Sequence, residues 1–336
     1  MTHRVFFRVD SEKTIGSGHA MRSLALASQI KADGAEVIIV GSGLKEIQNL
    51  AASFSGLDVS ERTFESLEDE IEAIGNWNAD LIIFDGYHFS AELFLAVKNL
   101  GVLVGVIDDN GETRASEPTF VVNQNPTADR CLYPETWEKT RFFLGWDYLI
   151  LRDEFLNLSL PSDEIDREGI LVAIGGTDAL GIVPDLIDFL SDIETGFQTP
   201  RTQFGERHMK NSELAHSRLN LFGPEDYPTF VRSAAVAVLG GGTGLYEALH
   251  SRTPTIAAVV ADNQVRMAQS LFESGYILGV VDFQGGFSRE AATQVLEIIR
   301  RTGLRTKAPS SSNVPSGFGQ GKKILSEEIR KLLANL

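Results

Sequence analysis

The sequence predicts an α/β protein of two halves, each built on a parallel sheet. Three observations carry this: short runs that are apolar at every position, amphipathic segments of helical length between most of them, and a polar, acidic, proline-bearing stretch at 156–168. A strand without polar alternation is covered on both faces, as parallel strands flanked by crossover helices are.

Taken in order, the first half offers RVFFRVD (4–10), EVIIV (36–40), LIIFDG (81–86), LVGVID (103–108) and TFVVNQ (119–124) as strands, with helices expected at 18–33, 66–75 and 90–100. The pattern resumes with ILVAIGG (170–176), LNLFG (219–223), VAVLGG (236–241), TPTIAAVV (253–260) and ILGVV (277–281), with a helix at 263–275 and a last one at 322–335. The expected domains are 1–155, a linker at 156–168, 169–320, and a C-terminal helix at 321–336. The stretch 191–215 shows no strand pattern, and 310–321 reads as a flexible loop.

Composition narrows the function classes. A chain of 336 residues with 43% hydrophobic content can bury two cores of ordinary size. A net charge of -16 opposes attraction to nucleic acid or to an anionic membrane surface, so neither is expected as a partner. The single cysteine, Cys131, cannot form an internal disulfide, and no window reads as a signal peptide or membrane span. The expected setting is cytoplasmic, the expected partner a small molecule, and the expected state a monomer or weak homodimer.

Ligands of open parallel sheets bind beyond the carboxyl ends of the strands. The loop after 4–10, DSEKTIGSGH, carries Gly16, Ser17 and Gly18 and places His19 at the first turn of the following helix. The ring either packs or does chemistry. In the second half Gly240, Gly241, Gly242, Thr243 and Gly244 lead into a helix bearing Glu247. Bare amides at a helix start favour a phosphate or diphosphate, and a carboxylate one turn in can accept from ribose hydroxyls. The alternative is a turn for close strand–helix packing. The turn at Gly175 and Gly176 is a second candidate phosphate contact.

Further strand ends carry Asp85 and Tyr87, the pair Asp108 and Asp109, and Asp262, Asn263 and Gln264. Asp-Asp-Asn-Gly forms turns more readily than metal sites, so no metal and no cofactor is expected. Asn263 and Gln264 either cap their helix or hydrogen-bond sugar hydroxyls.

The segments FRVDSEKTIGSGHAMRSLALA, IIFDGYHF, VIDDNG, VVNQNP, FFLGWDYLILRDEF, ILVAIGGTD, VLGGGTGLYEAL and ADNQVRMA, in that order, resemble the UDP-2,4-diacetamido-2,4,6-trideoxy-β-L-altropyranose hydrolases of pseudaminic acid biosynthesis. The resemblance spans roughly residues 4–280. It implies a GT-B-like fold of two Rossmann-like domains, the nucleotide held by the C-terminal one and the active site in the interdomain cleft. It also implies hydrolysis of a UDP-sugar with inversion at the anomeric carbon, metal-independent, with His19 as general base. The candidate sugar contacts are then Gly16, Ser17, Gly18, Arg22, Asp85, Tyr87, Asp262, Asn263 and Gln264. The sequence departs from the family at Gly86 and at Gly244, Leu245 and Tyr246, which bears on the identity of the sugar. Two other classes fit the same motifs: an inverting glycosyltransferase, in which His19 activates an acceptor hydroxyl, and a non-catalytic nucleotide-sugar binding module.

Overall fold

The computed structural model describes residues 2–11, 18–48, 54–157, 167–175, 178–191, 193, 196–200, 219–304 and 317–336. The chain divides into two units, Met1–Asp153 with Gly317–Leu336, and Glu154–Ser316.

The first unit holds strands β1 (Arg4–Val9), β2 (Glu36–Gly41), β3 (Asp58–Glu61), β4 (Leu81–Asp85), β5 (Leu103–Ile107), β6 (Phe120–Asn123) and β7 (Arg141–Leu144). They form one sheet of order β3-β2-β1-β4-β5-β6-β7, parallel throughout. The chain runs outward from β1 to β3 and then returns to place β4 on the other side of β1. Loops leaving two such strands diverge, and a crevice opens beyond their carboxyl ends. Val9 pairs with Asp85 and Asp85 with Ile107, so β1, β4 and β5 end level with one another.

Burial explains the unbroken apolar runs. Val5, Phe7 and Val9 share a core with Ala20, Leu24 and Ala27 of the helix Gly18–Ala32, while Phe6 joins Ile82, Phe84 and Leu93 in the core on the opposite face. The C-terminal helix Gly321–Leu333 adds Leu325, Ile329 and Leu333, spaced four apart, to the first of these cores. Its start lies so close to the chain before it that a Cβ on Gly321 would meet the Leu149 nitrogen at 2.3 Å. The buried Lys322 ammonium there pairs with Asp153 at 2.5 Å.

The second unit repeats the plan with β8 (Ile170–Ala173), β9 (Phe197–Pro200), β10 (Leu219–Phe222), β11 (Val236–Gly240), β12 (Thr255–Val259) and β13 (Gly279–Asp282). The order is β10-β9-β8-β11-β12-β13, again all parallel, so the switch falls between β8 and β11. Among the described residues of both units, no helix is long and apolar enough to cross a membrane.

Three strands go beyond those the sequence suggests. β3 and β7 are sheet edges, where Asp-Val-Ser-Glu and Arg-Phe-Phe-Leu need no continuous apolar cover. β9 corrects the expectation that 191–215 lacks a strand: Phe197–Pro200 pairs on both sides, with Phe197 and Thr199 buried. Residues 201–218 lie outside the described residues, as does most of the expected linker.

Arg167, ahead of β8, is a buried cation with no carboxylate partner among the described residues. Its Nη1 donates to the Arg232 carbonyl at 2.6 Å and to Thr253 Oγ1 at 3.1 Å, and its Nη2 to the carbonyls of Ser251 and Arg252 at 2.9 and 3.0 Å. Arg232 and Ser251 end the helices Tyr227–Ser233 and Gly244–His250, where carbonyls lack helical partners. Burial, with Arg232 nearby, brings the guanidinium down to about 10, which leaves it charged at neutral pH. Arg167→Met strands these carbonyls and is expected to lower the unfolding free energy of the second unit by about 2–3 kcal/mol. Urea unfolding at pH 7 checks this, and an unchanged midpoint would refute the clamp.

Candidate active site

The switch point of the first sheet gathers an ionised cluster. His19, Arg22 and Ser23 lie on one face of the helix Gly18–Ala32, three and four residues apart, and all three meet Asp85 at the end of β4. His19 Nδ1 is 2.5 Å from Asp85 Oδ1; Arg22 donates through Nη2 to Oδ1 at 2.6 Å and through Nε to Oδ2 at 2.7 Å; Ser23 Oγ donates to Oδ2 at 2.9 Å. The remaining guanidinium nitrogen, Nη1, donates to Asp109 Oδ1 at 2.5 Å, and Tyr87 donates its hydroxyl to Asp109 Oδ2 at 2.9 Å. The Tyr87 ring stands edge-on to His19, centroids 4.9 Å apart.

Asp85 is 1% exposed and His19 7%. Burial alone would raise the Asp85 carboxyl, but the charge of Arg22 and the hydrogen bonds from Arg22 and His19 outweigh it and hold the group well below the ordinary carboxylate range. Burial acts against the Arg22 charge as well, and Asp109 and Asp85 together hold that guanidinium well above its usual value. An ionised carboxylate only accepts, so we assign the Nδ1 proton of His19 to the bond with Asp85, leaving the Nε2 lone pair as acceptor. Such a histidine can take a proton from water or a hydroxyl while its partner steadies the resulting charge.

Asp108 has a different task. Its carboxylate accepts from the N–H groups of Asn110, Gly111, Glu112 and Thr113 at 3.0–3.3 Å, and so builds the turn. Asp10, just past β1, forms an ion pair with Arg8 at 2.7 Å, and His88 Nε2 lies 2.9 Å from its other carboxylate oxygen. Among the described residues no group of three or more His, Cys, Asp or Glu is placed to hold a metal ion.

In the second unit the switch point is made of close-packed glycines. A Cβ on Gly240 would meet the Gly175 nitrogen at 2.9 Å, and one on Gly241 would meet Gln264 Cβ at 2.8 Å. Gly175 has φ of +65°, a conformation suited to glycine. The N–H of Gly241 donates to Ala258 and that of Gly242 to Gly240, which corrects the expectation that all the loop amides are bare. No acceptor for the Thr243 and Gly244 N–H groups occurs among the described residues. Glu247 is buried in the helix that follows. Gln264 accepts from the Val260 N–H at 3.0 Å through Oε1 and so closes the turn before the helix Asp262–Glu273, where Asp262 and Asn263 are exposed. That helix has Ala261 as its N-cap, so neither Asn263 nor Gln264 occupies the cap position.

No family model matches the chain. It is 25% identical over 282 residues to the UDP-2,4-diacetamido-2,4,6-trideoxy-β-L-altropyranose hydrolase of Campylobacter jejuni, covering 81% of this chain and 97% of that protein. The chain is a distant relative of this hydrolase. A Helicobacter pylori protein, named as both a pseudaminic acid cytidylyltransferase and the same hydrolase, is 22% identical over 78% of this chain and 45% of its own length. Among solved structures, MurG of Acinetobacter baumannii superposes with a TM-score of 0.63 at 14% identity, covering 98% of this chain and 99% of that one. The S. aureus MnaA–UDP co-structure gives 0.63 at 12% identity, covering 100% and 98%. The fold is accordingly GT-B-like.

Most of the chain's expected site residues fall into two groups, with Asp262 and Asn263 exposed at the start of their helix. His19, Arg22, Asp85 and Tyr87 come together in the first unit; Gly175, the loop from Gly240 to Gly244, and Gln264 come together in the second, with Glu247 on the helix which that loop opens. Gly16, Ser17 and Gly176 lie outside the described residues. Gly18 opens its helix with no atom of the described residues within 4 Å of the place of a Cβ. Arg22 and Asp85, expected to touch sugar, are engaged with each other and with His19. Ser23 went unforeseen, as did the grouping of Arg8, Asp10 and His88; for that group the signal was an arginine inside the apolar run RVFFRVD, since a buried charge requires a partner.

Because Asp85 is lowered in the folded chain, its contribution to stability is present above the unfolded carboxylate value near 4 and is lost as pH falls toward the lower folded value. Asp85→Asn is therefore expected to lower the thermal midpoint at pH 7 and to shrink the loss between about pH 4 and pH 2. Parallel midpoint-versus-pH curves for the two proteins would contradict the ion cluster.

Proposed function

We propose that the protein is a nucleotide-sugar hydrolase that releases UDP and a free amino or deoxy sugar with inversion at the anomeric carbon. The observation that carries this is the buried His19–Asp85 pair, 2.5 Å apart at a sheet switch point, with Nε2 of the ring assigned as proton acceptor. The names of the two hydrolase relatives supply the substrate class, and UDP in the MnaA structure supports the nucleotide.

In the proposed step a water oxygen bonds to the anomeric carbon as its proton passes to His19 Nε2. The bond from that carbon to the diphosphate oxygen breaks, and its electron pair leaves with UDP. Asp85 stabilises the imidazolium. The Thr243 and Gly244 amides receive the diphosphate, so no metal is assigned a role, and Glu247 accepts from the ribose hydroxyls. Tyr87, Asp262 and Asn263 are assigned to the sugar. Gly86, Gly244, Leu245 and Tyr246 set this chain apart from the diacetamido-sugar pattern, so the sugar is proposed only as to class.

The test is incubation with UDP-, GDP-, CMP- and dTDP-sugars, without acceptor and with a chelator present. Release of UDP with free sugar is expected, whereas release only on adding an acceptor would make the protein a transferase. His19→Asn is expected to retain fold and UDP affinity while turnover falls by roughly 100-fold or more; parental turnover would remove His19 from the mechanism. Glu247→Ala is expected to weaken UDP binding by about 1.5–3 kcal/mol, and calorimetry giving the parental affinity would exclude the ribose role.

A further inference from the structure

The Asp-Asp-Asn-Gly turn and the Asn-Gln-Asn run stand out in the sequence, yet the hydrolytic step uses neither. In the fold Asp108 of the turn and the two asparagines of the run serve one residue. Asp108 holds the turn from within through the N–H groups of residues 110–113, while Asn123 and Asn125 donate to the Asp109 carbonyl at 3.3 and 2.9 Å. With its backbone gripped from two sides, Asp109 presents its carboxylate to Arg22 Nη1 at 2.5 Å and to the Tyr87 hydroxyl at 2.9 Å.

Arg22 is what makes that placement matter. Its Nη2 lies 3.0 Å from His19 Nδ1, and a guanidinium so close opposes a second positive charge on the ring. With Asp85 as the sole carboxylate, a protonated His19 and Arg22 would leave the buried cluster one charge positive. Asp109 brings the sum to zero, and a largely buried cluster tolerates a neutral sum better than a net charge.

We propose that Asp109 is a positioning residue for His19: by taking up the outer nitrogen of Arg22, it lets Arg22 clamp Asp85 without opposing a proton on the imidazole. Its effect on turnover rests on the hydrolytic reading; its effect on the ring does not. The charged and titratable groups facing the ring among the described residues are Arg22 on its own helix and Asp85 and Tyr87 at and after β4, with Asp109 after β5 one contact further, on Arg22 and Tyr87. Asp10, after β1, is paired with Arg8 and His88.

The experiment is a pH titration of the His19 ring by NMR in substrate-free protein, its signal identified among the six histidines by its absence in His19→Asn. Asp109→Asn is expected to lower the His19 midpoint by about 1 pH unit, and Arg22→Gln to raise it. In the nucleotide-release assay the acid limb of kcat/KM for Asp109→Asn should move down with the ring and the plateau should fall, whereas a merely structural loss would leave the limb where it was. A folded Asp109→Asn protein with an unmoved midpoint overturns the proposal. Should that variant fail to fold, the sign of the Arg22→Gln shift decides, and a downward shift overturns it. Absence of nucleotide release from the unaltered protein defeats the hydrolytic reading alone and leaves the titration standing.

Discussion

A carboxylate closed off from water at the end of a buried strand has to be surrounded by cations and donors, and Asp85 imposes that condition on everything around it. The helix after β1 must begin where its first two turns can deliver His19, Arg22 and Ser23 to one point. Removing one partner from such a buried pair costs about 3–5 kcal/mol, so the arrangement is held as a unit. What results is a histidine whose ring orientation is settled before any ligand arrives, and preorganisation of this kind is where much catalytic power resides.

The second unit reaches its own switch point by other means. Its sheet order matches that of the first six strands of the first sheet, but the loops are held by close backbone approach, with Gly240 against Gly175 and Gly241 against Gln264. A side chain larger than hydrogen at Gly240 would push against the chain leaving β8, and one at Gly241 would push against Gln264 of the helix Asp262–Glu273. The close-packed glycines spend their own amides within the fold, Gly241 on Ala258 and Gly242 on Gly240, and the N–H groups for which no acceptor occurs among the described residues are those of Thr243 and Gly244 just after them. At the opposite end of that sheet, Arg167 ties two helix ends together.

Most strands and helices were legible because burial leaves its mark in local order. Both faces of β1, β4, β8 and β11 are covered, and their apolar runs say so. Strands β3, β7 and β9 were not legible, since two are edges and the third is a short strand carrying Gln198, Thr199 and Pro200. At the site, His19 was legible from the glycines before it, while its dependence on Asp85 and Asp109 was not. Those partners stand 66 and 90 residues away along the chain, and nothing in local spacing relates them.

The sequence by itself determined that there are two α/β halves, where most of their strands run, and which loops carry unusual chemistry, because periodicity, apolar runs and glycine turns are properties of neighbouring residues. The tertiary structure decided which of those residues serve one another. Arg22 and Asp85 read as two polar candidates for a sugar, and only the crossover from β3 back to β4 beside β1 brings a helix start against a strand end and turns them into the support of a histidine. Hydrogen-bond partners are chosen by distance in space, and in a parallel sheet the strand ends that lie level are separated in the chain by at least a whole crossover connection.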